Sequence, residues 1–329
     1  MTATLVRPTT HQPAACSNTF FDDVIAGLTV RPQTLPCKYF YNERGSALFD
    51  QICAQHEYYL TRTELAIMRQ HAAHMADLLG PKCLLIELGS GSSLKTRTLL
   101  THLVEPAGYV PVDICEGHMT LAVRSLALAF PDLPVLPVAA DFCSDFGIPE
   151  GLQPHHRKVV YFPGSTIGNF THNQAVSLLR RVRHAVGRQG GLLIGVDLAK
   201  DADILEAAYN DPAGVTQAFN LNLLHRLQDE LDADVDVDQF EHRAFFNAKK
   251  SRIEMHLMST VAQTILLGNT EVKFNPGETI YTEHSYKYTD EMFAAIAHEG
   301  GFKEVQVWTD EDHLFSARYL TPADFQLTN

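Results

Sequence analysis

The chain has 329 residues, with 26 Lys and Arg against 39 Asp and Glu, so its formal net charge at pH 7 is −13. This length allows one large domain or two modest ones with ample core. An acidic chain without a basic block is not expected to bind nucleic acid or an anionic membrane as its main partner. A small-molecule ligand is the natural alternative. The six cysteines form no CxxC pair, so we expect reduced thiols and no metal site.

The N-terminal part of the chain is predicted to be a tail followed by helices. Residues 1–17 are rich in Pro and Thr and should be loosely ordered. They lack the apolar stretch of a signal peptide, and no run approaches a membrane span, so a cytoplasmic protein is expected. Two short helices are predicted over FFDDVIAGLTV and SALFDQICAQ. A longer one is predicted over TRTELAIMRQHAAHMADLLG, with Thr61 or Thr63 as its N-cap.

From Lys82 the sequence alternates between strand-like and helical segments. The strand-like segments are CLLIEL, GYVPVDI, VLPVAADF, KVVYFPG and GGLLIGVDL. Continuous apolar strands separated by helices predict a parallel sheet with helices on both faces. The alternation ends at about Asp197. Beyond it, RIEMHLMSTVAQTILL and GETIYTEHSYKYT are predicted to pair as antiparallel strands, and EGGFKEVQVW with LFSARYL to form a C-terminal β-hairpin.

This pattern predicts an α/β fold in two domains. The Rossmann-like domain, with a mostly parallel sheet, should comprise residues 62–198 and 288–329. A smaller α+β domain should combine residues 18–61 with 199–287, because both segments lie outside the alternation. We expect the first domain to bind a cofactor and the second to bind a substrate.

A small-residue loop follows the first strand in LLIELGSGSSLKTRTLL. A Walker loop would read GxxxxGK[ST], which is missing; in the dinucleotide pattern GxGxxG, Gly89 and Gly91 fit but position 94 is Leu. Glu87, two residues before the GxG, also disfavours a phosphate above it. An acidic residue there is typical of class I S-adenosylmethionine (SAM) methyltransferases, in which no pyrophosphate is bound. A Rossmann-like domain for another nucleotide is the alternative.

Acidic residues also follow the next two strands. Asp113 ends the second strand, where a carboxylate is expected to accept hydrogen bonds from ribose hydroxyls. Asp141 and Phe142 follow the third strand and could bind the adenine amino group and cover the ring. A GxG and these residues, in order after three successive strands, predict a SAM site.

Two later stretches carry candidate residues for a methyl acceptor. Asn169, in YFPGSTIGNF after the fourth strand, could accept a hydrogen bond from an amine and orient its lone pair; a turn-forming Asn is the alternative. In IYTEHSYKY, strand alternation would place Tyr281, Glu283, Ser285 and Lys287 on one face. A carboxylate and a hydroxyl on this face could bind a polar or cationic side chain. The alternative is that the face is only exposed to solvent. The same alternation groups Met255 with apolar neighbours.

Several segments closely resemble the L-histidine Nα-methyltransferases of ergothioneine biosynthesis, over nearly the whole chain after residue 18. They are KYFYNERGSALFDQI, EYYLTRTE, GSTIGNF, AYND, FNLNLL, RIEMHL and TEHSYKY. The resemblance implies three successive SAM-dependent methyl transfers to the α-amino nitrogen of histidine, giving hercynine. Related family members methylate other amino acids, such as a prenylated tryptophan. N-methylation of another amine is therefore one alternative, and a non-catalytic SAM-binding or nucleotide-binding protein is another.

The resemblance also implies roles for individual residues. The SAM site would comprise Gly89, Lys95, Asp113, Asp141 and Phe142. The histidine carboxylate would be held by Asn169 and Tyr209, with Tyr41 and Tyr58 near the α-amino group; the catalytic candidates are Asn169 and Tyr41. The imidazole would be bound by Glu283 and Ser285, with Met255 lining its pocket, and Gly164 would allow close approach of the substrate. We expect the protein to be a monomer.

Overall fold

A computed structural model describes residues 16–91, 94–144, 147–148 and 154–324. The predicted tail therefore lies outside the described residues, except for positions 16 and 17, which begin the first helix. The helices are α1 (Cys16–Leu28), α2 (Glu43–Ala54), α3 (Tyr59–Leu79), α4 (Leu94–Leu100), α5 (Glu116–Ala129), α6 (His172–Val186), α7 (Ala202–Tyr209), α8 (Val215–Leu231) and α9 (Asp290–Glu299). Because α3 begins at Tyr59, neither Thr61 nor Thr63 is its N-cap, and that prediction is wrong.

The strands complete the secondary structure. They are β1 (Gln33–Thr34), β2 (Cys83–Leu88), β3 (Gly108–Asp113), β4 (Val138–Ala139), β5 (Arg157–Phe162), β6 (Gly191–Asp197), β7 (Phe240–Asn247), β8 (Arg252–Ser259), β9 (Gln263–Leu267), β10 (Thr270–Phe274), β11 (Thr279–Tyr286), β12 (Phe302–Thr309) and β13 (Phe315–Pro322). Short 3-10 helices lie at Cys37–Phe40, Thr166–Asn169 and Val237–Gln239.

The described chain folds into two compact units. The seven-stranded unit contains Leu60–Ala199 and residues 287–324, and the four-stranded unit contains residues 16–59 and Lys200–Tyr286. Each unit is named for its larger sheet. The assignment of cofactor binding to the first and substrate binding to the second stays a prediction.

The larger sheet has the strand order β12-β13-β6-β5-β2-β3-β4. The five strands β6, β5, β2, β3 and β4 run parallel to one another, whereas β13 is antiparallel to both β6 and β12. Every residue of β2 and β6 is buried, as expected for central strands covered on both faces. The predicted mostly parallel sheet with a C-terminal hairpin is confirmed. The strand predicted over VLPVAADF shrinks to Val138–Ala139, because Pro137 has no N–H for the ladder.

The four-stranded sheet has the order β1-β11-β8-β7. The predicted antiparallel pairing of β8 with β11 is confirmed. The segment between them folds into its own hairpin, β9 with β10, and β7 adds a strand that was not predicted. Helix α8 packs against β7, β8 and α2. No helix in the part of the chain described here is long and apolar enough to cross a membrane.

Candidate functional site

The glycine loop after β2 is tied to the end of β3. Gly89 and Gly91 have φ values of +69° and +45°, which favour glycine because a Cβ would be strained there. The Gly89 N–H donates to the Val112 carbonyl at 2.8 Å. The Gly91 N–H donates to Asp113 Oδ2 at 3.0 Å. These two hydrogen bonds hold the loop backbone against the carboxyl end of β3.

The other predicted cofactor residues lie at the same carboxyl-terminal edge of the sheet. The second Asp113 oxygen accepts from the Cys115 N–H at 2.9 Å, so the half-buried carboxylate is fixed in orientation. Asp141 is fixed in the same way by the Cys143 N–H at 2.8 Å. A Cβ on Gly89 would lie 3.7 Å from the Phe142 ring. Oriented carboxylates, an aromatic ring and bare backbone together suit a ribose and an adenine.

Glu87 is buried and hydrogen-bonded to neighbouring side chains. Its side chain is 2% exposed and accepts hydrogen bonds from Thr96 Oγ1 at 2.6 Å and from the Tyr109 hydroxyl. Burial raises the pKa of Glu87 to about 7, although these hydrogen bonds act in the opposite direction. The carboxyl group therefore braces α4 against β3.

Sequence reasoning missed Glu64, which is 1% exposed on α3. One of its oxygens accepts from Lys95 Nζ at 2.5 Å and from the Gly164 N–H at 2.9 Å. A single buried carboxylate thus joins two predicted site residues, Lys95 after the glycine loop and Gly164 after β5. A Cβ on Gly195 would lie 2.3 Å from Glu64 Oε1, so the carboxylate fits only beside a glycine. One feature of the sequence could have identified Glu64: it is a charged residue on the apolar face of helix α3.

The turn after β5 carries Asn169. Gly164 has a φ of +76°, and Ser165 is left-handed at +56°. The Ser165 hydroxyl accepts from the Asp197 N–H at 2.9 Å, and the Tyr288 hydroxyl donates to the Ile167 carbonyl at 3.3 Å. These contacts fix the short 3-10 helix that ends at the half-buried Asn169. The predicted role of Asn169 stays a prediction.

In the four-stranded unit the three predicted tyrosines share one aromatic cluster. The rings of Tyr58 and Tyr209 are 6.2 Å apart, and Phe49 lies 6.3 Å from Tyr58 and 5.6 Å from Tyr41. Burial raises the pKa of Tyr58 well above its ordinary value. Tyr58 is therefore a neutral phenol at neutral pH.

The backbone around Tyr41 is held by helix α8. Asn222 Nδ2 donates to the Phe40 carbonyl at 3.2 Å and to Asn42 Oδ1 at 3.0 Å. Asn42 in turn caps α2 by accepting from the Gly45 N–H at 2.8 Å. Both chain neighbours of Tyr41 are thus fixed by hydrogen bonds.

Glu283 and Ser285 lie opposite Met255 and Ile253 in the β8–β11 pairing, so the predicted imidazole set shares one face. Met255 is buried among apolar neighbours on β8, as the alternation predicted. The prediction that Tyr281 shares this face with Glu283 and Ser285 is wrong. A β-bulge between Tyr281 and Glu283 places Tyr281 on the opposite face, where its ring contacts those of His256 and His284.

Comparisons with known proteins agree with this geometry. The profile of the family described as histidine-specific methyltransferase, SAM-dependent, matches residues 20–322. The chain is 40% identical over 294 residues to the histidine N-alpha-methyltransferase of Mycolicibacterium smegmatis, covering 88% of this chain and 90% of that protein. It is 29% identical to ergothioneine biosynthesis protein 1 of Neurospora crassa, covering 84% of this chain and 32% of that protein.

A more distant relative carries a less specific name. The chain is 24% identical over 312 residues to the N-methyltransferase imqF of Aspergillus flavus, covering 91% of this chain and 84% of that protein. The family match, by contrast, spans most of the chain, and the 40% identity covers most of both proteins. This protein therefore belongs to the family of histidine-specific, SAM-dependent methyltransferases.

Proposed function

We propose that the protein transfers three methyl groups in succession from SAM to the α-amino nitrogen of L-histidine, giving hercynine, the first step of ergothioneine biosynthesis. The observation that carries this proposal is the imidazole set on β11 and β8. Glu283 and Ser285 share a strand face with Met255. The 40% identity to a histidine N-alpha-methyltransferase supports the same substrate.

The imidazole set matches the chemistry of a histidine side chain. A neutral imidazole has one N–H donor and one acceptor nitrogen, and both need partners when buried. The Glu283 carboxylate can accept from the N–H, while the Ser285 hydroxyl donates to the other nitrogen. An apolar side chain in this place would leave the carboxylate desolvated without a partner, which is costly.

Methyl transfer requires a neutral amine. When bound, SAM supplies an electrophilic methyl group attached to a sulfonium sulfur. On transfer of the methyl group, the rest of the cofactor leaves as a neutral thioether. The α-ammonium of an amino acid has a pKa of about 8 or above, so it loses a proton before each nitrogen attack. After the third transfer no N–H remains, and methylation ends at the quaternary ammonium.

The aromatic cluster suits an amine that gains methyl groups and a fixed positive charge. The faces of Tyr41 and Tyr58 can contact such a cation favourably. Because the pKa of Tyr58 is raised, this residue acts as a hydrogen-bonding phenol and not as a phenolate base. The amine proton is then passed toward solvent through hydroxyl groups or water.

The residues that we propose for the cofactor lie in the seven-stranded unit. We assign SAM to Gly89, Lys95, Asp113, Asp141 and Phe142. We assign alignment of the amine to Asn169 and close approach of the substrate to the backbone at Gly164, while Tyr209 binds the substrate carboxylate.

We also propose that the protein is a monomer and that it is cytoplasmic. Sedimentation of the purified protein tests the first proposal, and fractionation of cells that express it tests the second.

The test is product mass. The purified protein is incubated with SAM and each amino acid separately, and products are measured by mass spectrometry. Histidine should gain one, two and then three methyl groups, while tryptophan and phenylalanine should react far more slowly. A clear preference for an amine without an imidazole would overturn the histidine assignment and favour N-methylation of another substrate.

A further inference from the structure

The bulge in β11 determines which residues share a face with Glu283. Pairing with β8 runs regularly through Tyr281 opposite His256, and then Glu283 lies opposite Met255, so Thr282 is the additional residue. In a regular strand Tyr281 and Glu283, which are two residues apart, would point the same way. The bulge therefore directs the Glu283 carboxylate to the Met255 face and Tyr281 to the other.

Thr282 is held in the bulge by its hydroxyl. The residue is 2% exposed, and Oγ1 lies 2.7 Å from Asn220 Oδ1 and 3.1 Å from the Met255 carbonyl oxygen. Because both oxygens are acceptors, the single hydroxyl proton is shared between them as a three-centre hydrogen bond. Thr282 thus connects the bulge to the neighbouring strand and to helix α8.

Asn220 is fully buried and uses all of its amide groups. Its Nδ2 donates to the His256 carbonyl at 3.0 Å and to His242 Nδ1 at 2.9 Å, while Oδ1 accepts from Thr282. His242 Nδ1 is therefore the acceptor nitrogen, and Nε2–H donates to the Tyr209 carbonyl at 2.9 Å. Burial lowers the pKa of His242, which agrees with a neutral ring.

These contacts form one continuous chain within the four-stranded unit. It runs from the backbone of Tyr209 through His242, Asn220 and Thr282 to the backbone of Met255. None of the three connecting side chains belongs to the proposed substrate site. Each end of the chain nevertheless fixes the backbone of a residue that does.

We propose that Thr282, Asn220 and His242 are positioning residues that hold the β11 bulge and the Tyr209 backbone, and so place Glu283 for histidine recognition. This inference rests on the proposed function. The effect is indirect: the network keeps the carboxylate, Met255 and Tyr209 in the arrangement that an imidazole substrate requires. Loss of the network should weaken histidine binding more than turnover of bound histidine, and should leave SAM binding unchanged.

The experiment compares variants of Thr282 in the full-length protein. Thr282→Val keeps the side-chain shape without the hydroxyl, Thr282→Ser keeps the hydroxyl, and Thr282→Cys offers a weaker donor of similar size. Thr321→Val is the matched control, because Thr321 is equally buried but its hydroxyl has no hydrogen-bond partner. The readouts are L-histidine affinity by calorimetry with S-adenosylhomocysteine present, KM and kcat for histidine, SAM affinity, and melting temperature.

We expect Thr282→Val to raise the histidine Kd and KM about tenfold or more, with a smaller change in kcat and unchanged SAM affinity. Thr282→Ser should stay close to the wild type, and Thr282→Cys should lie between Ser and Val. Thr321→Val should bind histidine normally. If Thr282→Val does not fold, the Cys variant decides in its place.

Four results would overturn the inference. Wild-type histidine affinity in Thr282→Val would do so, even with a lower melting temperature, because the role would then be structural only. If Thr282→Ser lost as much histidine affinity as Thr282→Val, the hydroxyl would not be responsible for the effect. If only Thr282→Cys could be tested, wild-type histidine affinity in that variant would also contradict the inference. A wild-type protein that does not methylate histidine would remove the proposed function, and the inference with it; the first three results leave that function intact.

Discussion

At the scale of single residues, the Asp113 carboxylate accepts two backbone hydrogen bonds at the end of β3, one on each oxygen. Each carboxylate oxygen can accept more than one hydrogen bond, so both remain able to accept from a ribose diol. The same side chain therefore shapes the loop and is free to bind a ligand.

Asp113→Ala should weaken SAM binding by about 1–3 kcal/mol, because charge-assisted hydrogen bonds are lost. Asp113→Asn keeps the size and one acceptor oxygen, and it should fall between Ala and the wild type. Calorimetric titration with SAM measures both. Unchanged affinity in the Ala variant would show that the ribose is placed wrongly.

Glu283 should decide substrate preference more than affinity for the cofactor. Glu283→Ala removes the carboxylate that an imidazole N–H satisfies, so kcat/KM for histidine should fall by about a hundredfold or more. The difference in kcat/KM between histidine and tryptophan should narrow, because no carboxylate is then desolvated by an apolar ring. Equal losses for both substrates, measured beside an unchanged SAM titration, would contradict a role in side-chain recognition.

At the scale of elements, helix α3 lies close to strand β6 where Glu64 is beside Gly195. Gly195 leaves room for the Glu64 carboxylate, and a Cβ there would lie 2.3 Å from Glu64 Oε1. Gly195→Ala should therefore destabilise the fold by about 1–3 kcal/mol through overpacking. In a Glu64→Ala background the same substitution should cost less.

This coupling is measured by a double-mutant cycle with denaturant unfolding. With destabilisation counted as positive, the interaction free energy should be negative: the two substitutions together should destabilise less than the sum of the single changes. Strict additivity would mean that the carboxylate moves away from Gly195 without a free-energy cost. SAM titration of Glu64→Gln adds a functional readout, since Lys95 then loses its charged partner.

The sequence predicted elements well where local pattern and structure coincide. Continuous apolar runs identified the parallel strands, because both faces of β2 and β6 are buried. The face of Tyr281 could not be predicted from strand alternation, because one additional residue in a bulge puts Tyr281 on the face opposite to Glu283. The alternation of apolar and polar residues in the sequence does not reveal such a bulge. Glu64 was missed since its partners Lys95 and Gly164 are distant in sequence.

At the scale of the whole molecule, buried ionisable groups set opposing trends of stability with pH. Burial lowers the pKa of His242 and His256, and that of His284 to about 4. The unfolded chain binds more protons at these sites below about pH 6.5, so their contribution makes stability rise with pH. Glu87 acts in the other direction, because burial raises its pKa to about 7.

The contribution of Glu87 to this pH dependence can be isolated by comparing Glu87→Gln with the wild type. Between about pH 4.5, where an unfolded Glu ionises, and about pH 7, the folded protein holds the additional proton, so this group makes stability fall as pH rises. Glu87→Gln mimics the protonated acid and can still accept from Thr96 and Tyr109. Relative to the wild type, the variant should therefore gain up to about 3 kcal/mol in free energy of unfolding across this window. Denaturant unfolding of both proteins at several pH values gives the difference, and the histidine contributions cancel in it. A difference that does not change with pH would mean that the carboxyl group titrates in the folded protein as it does in water.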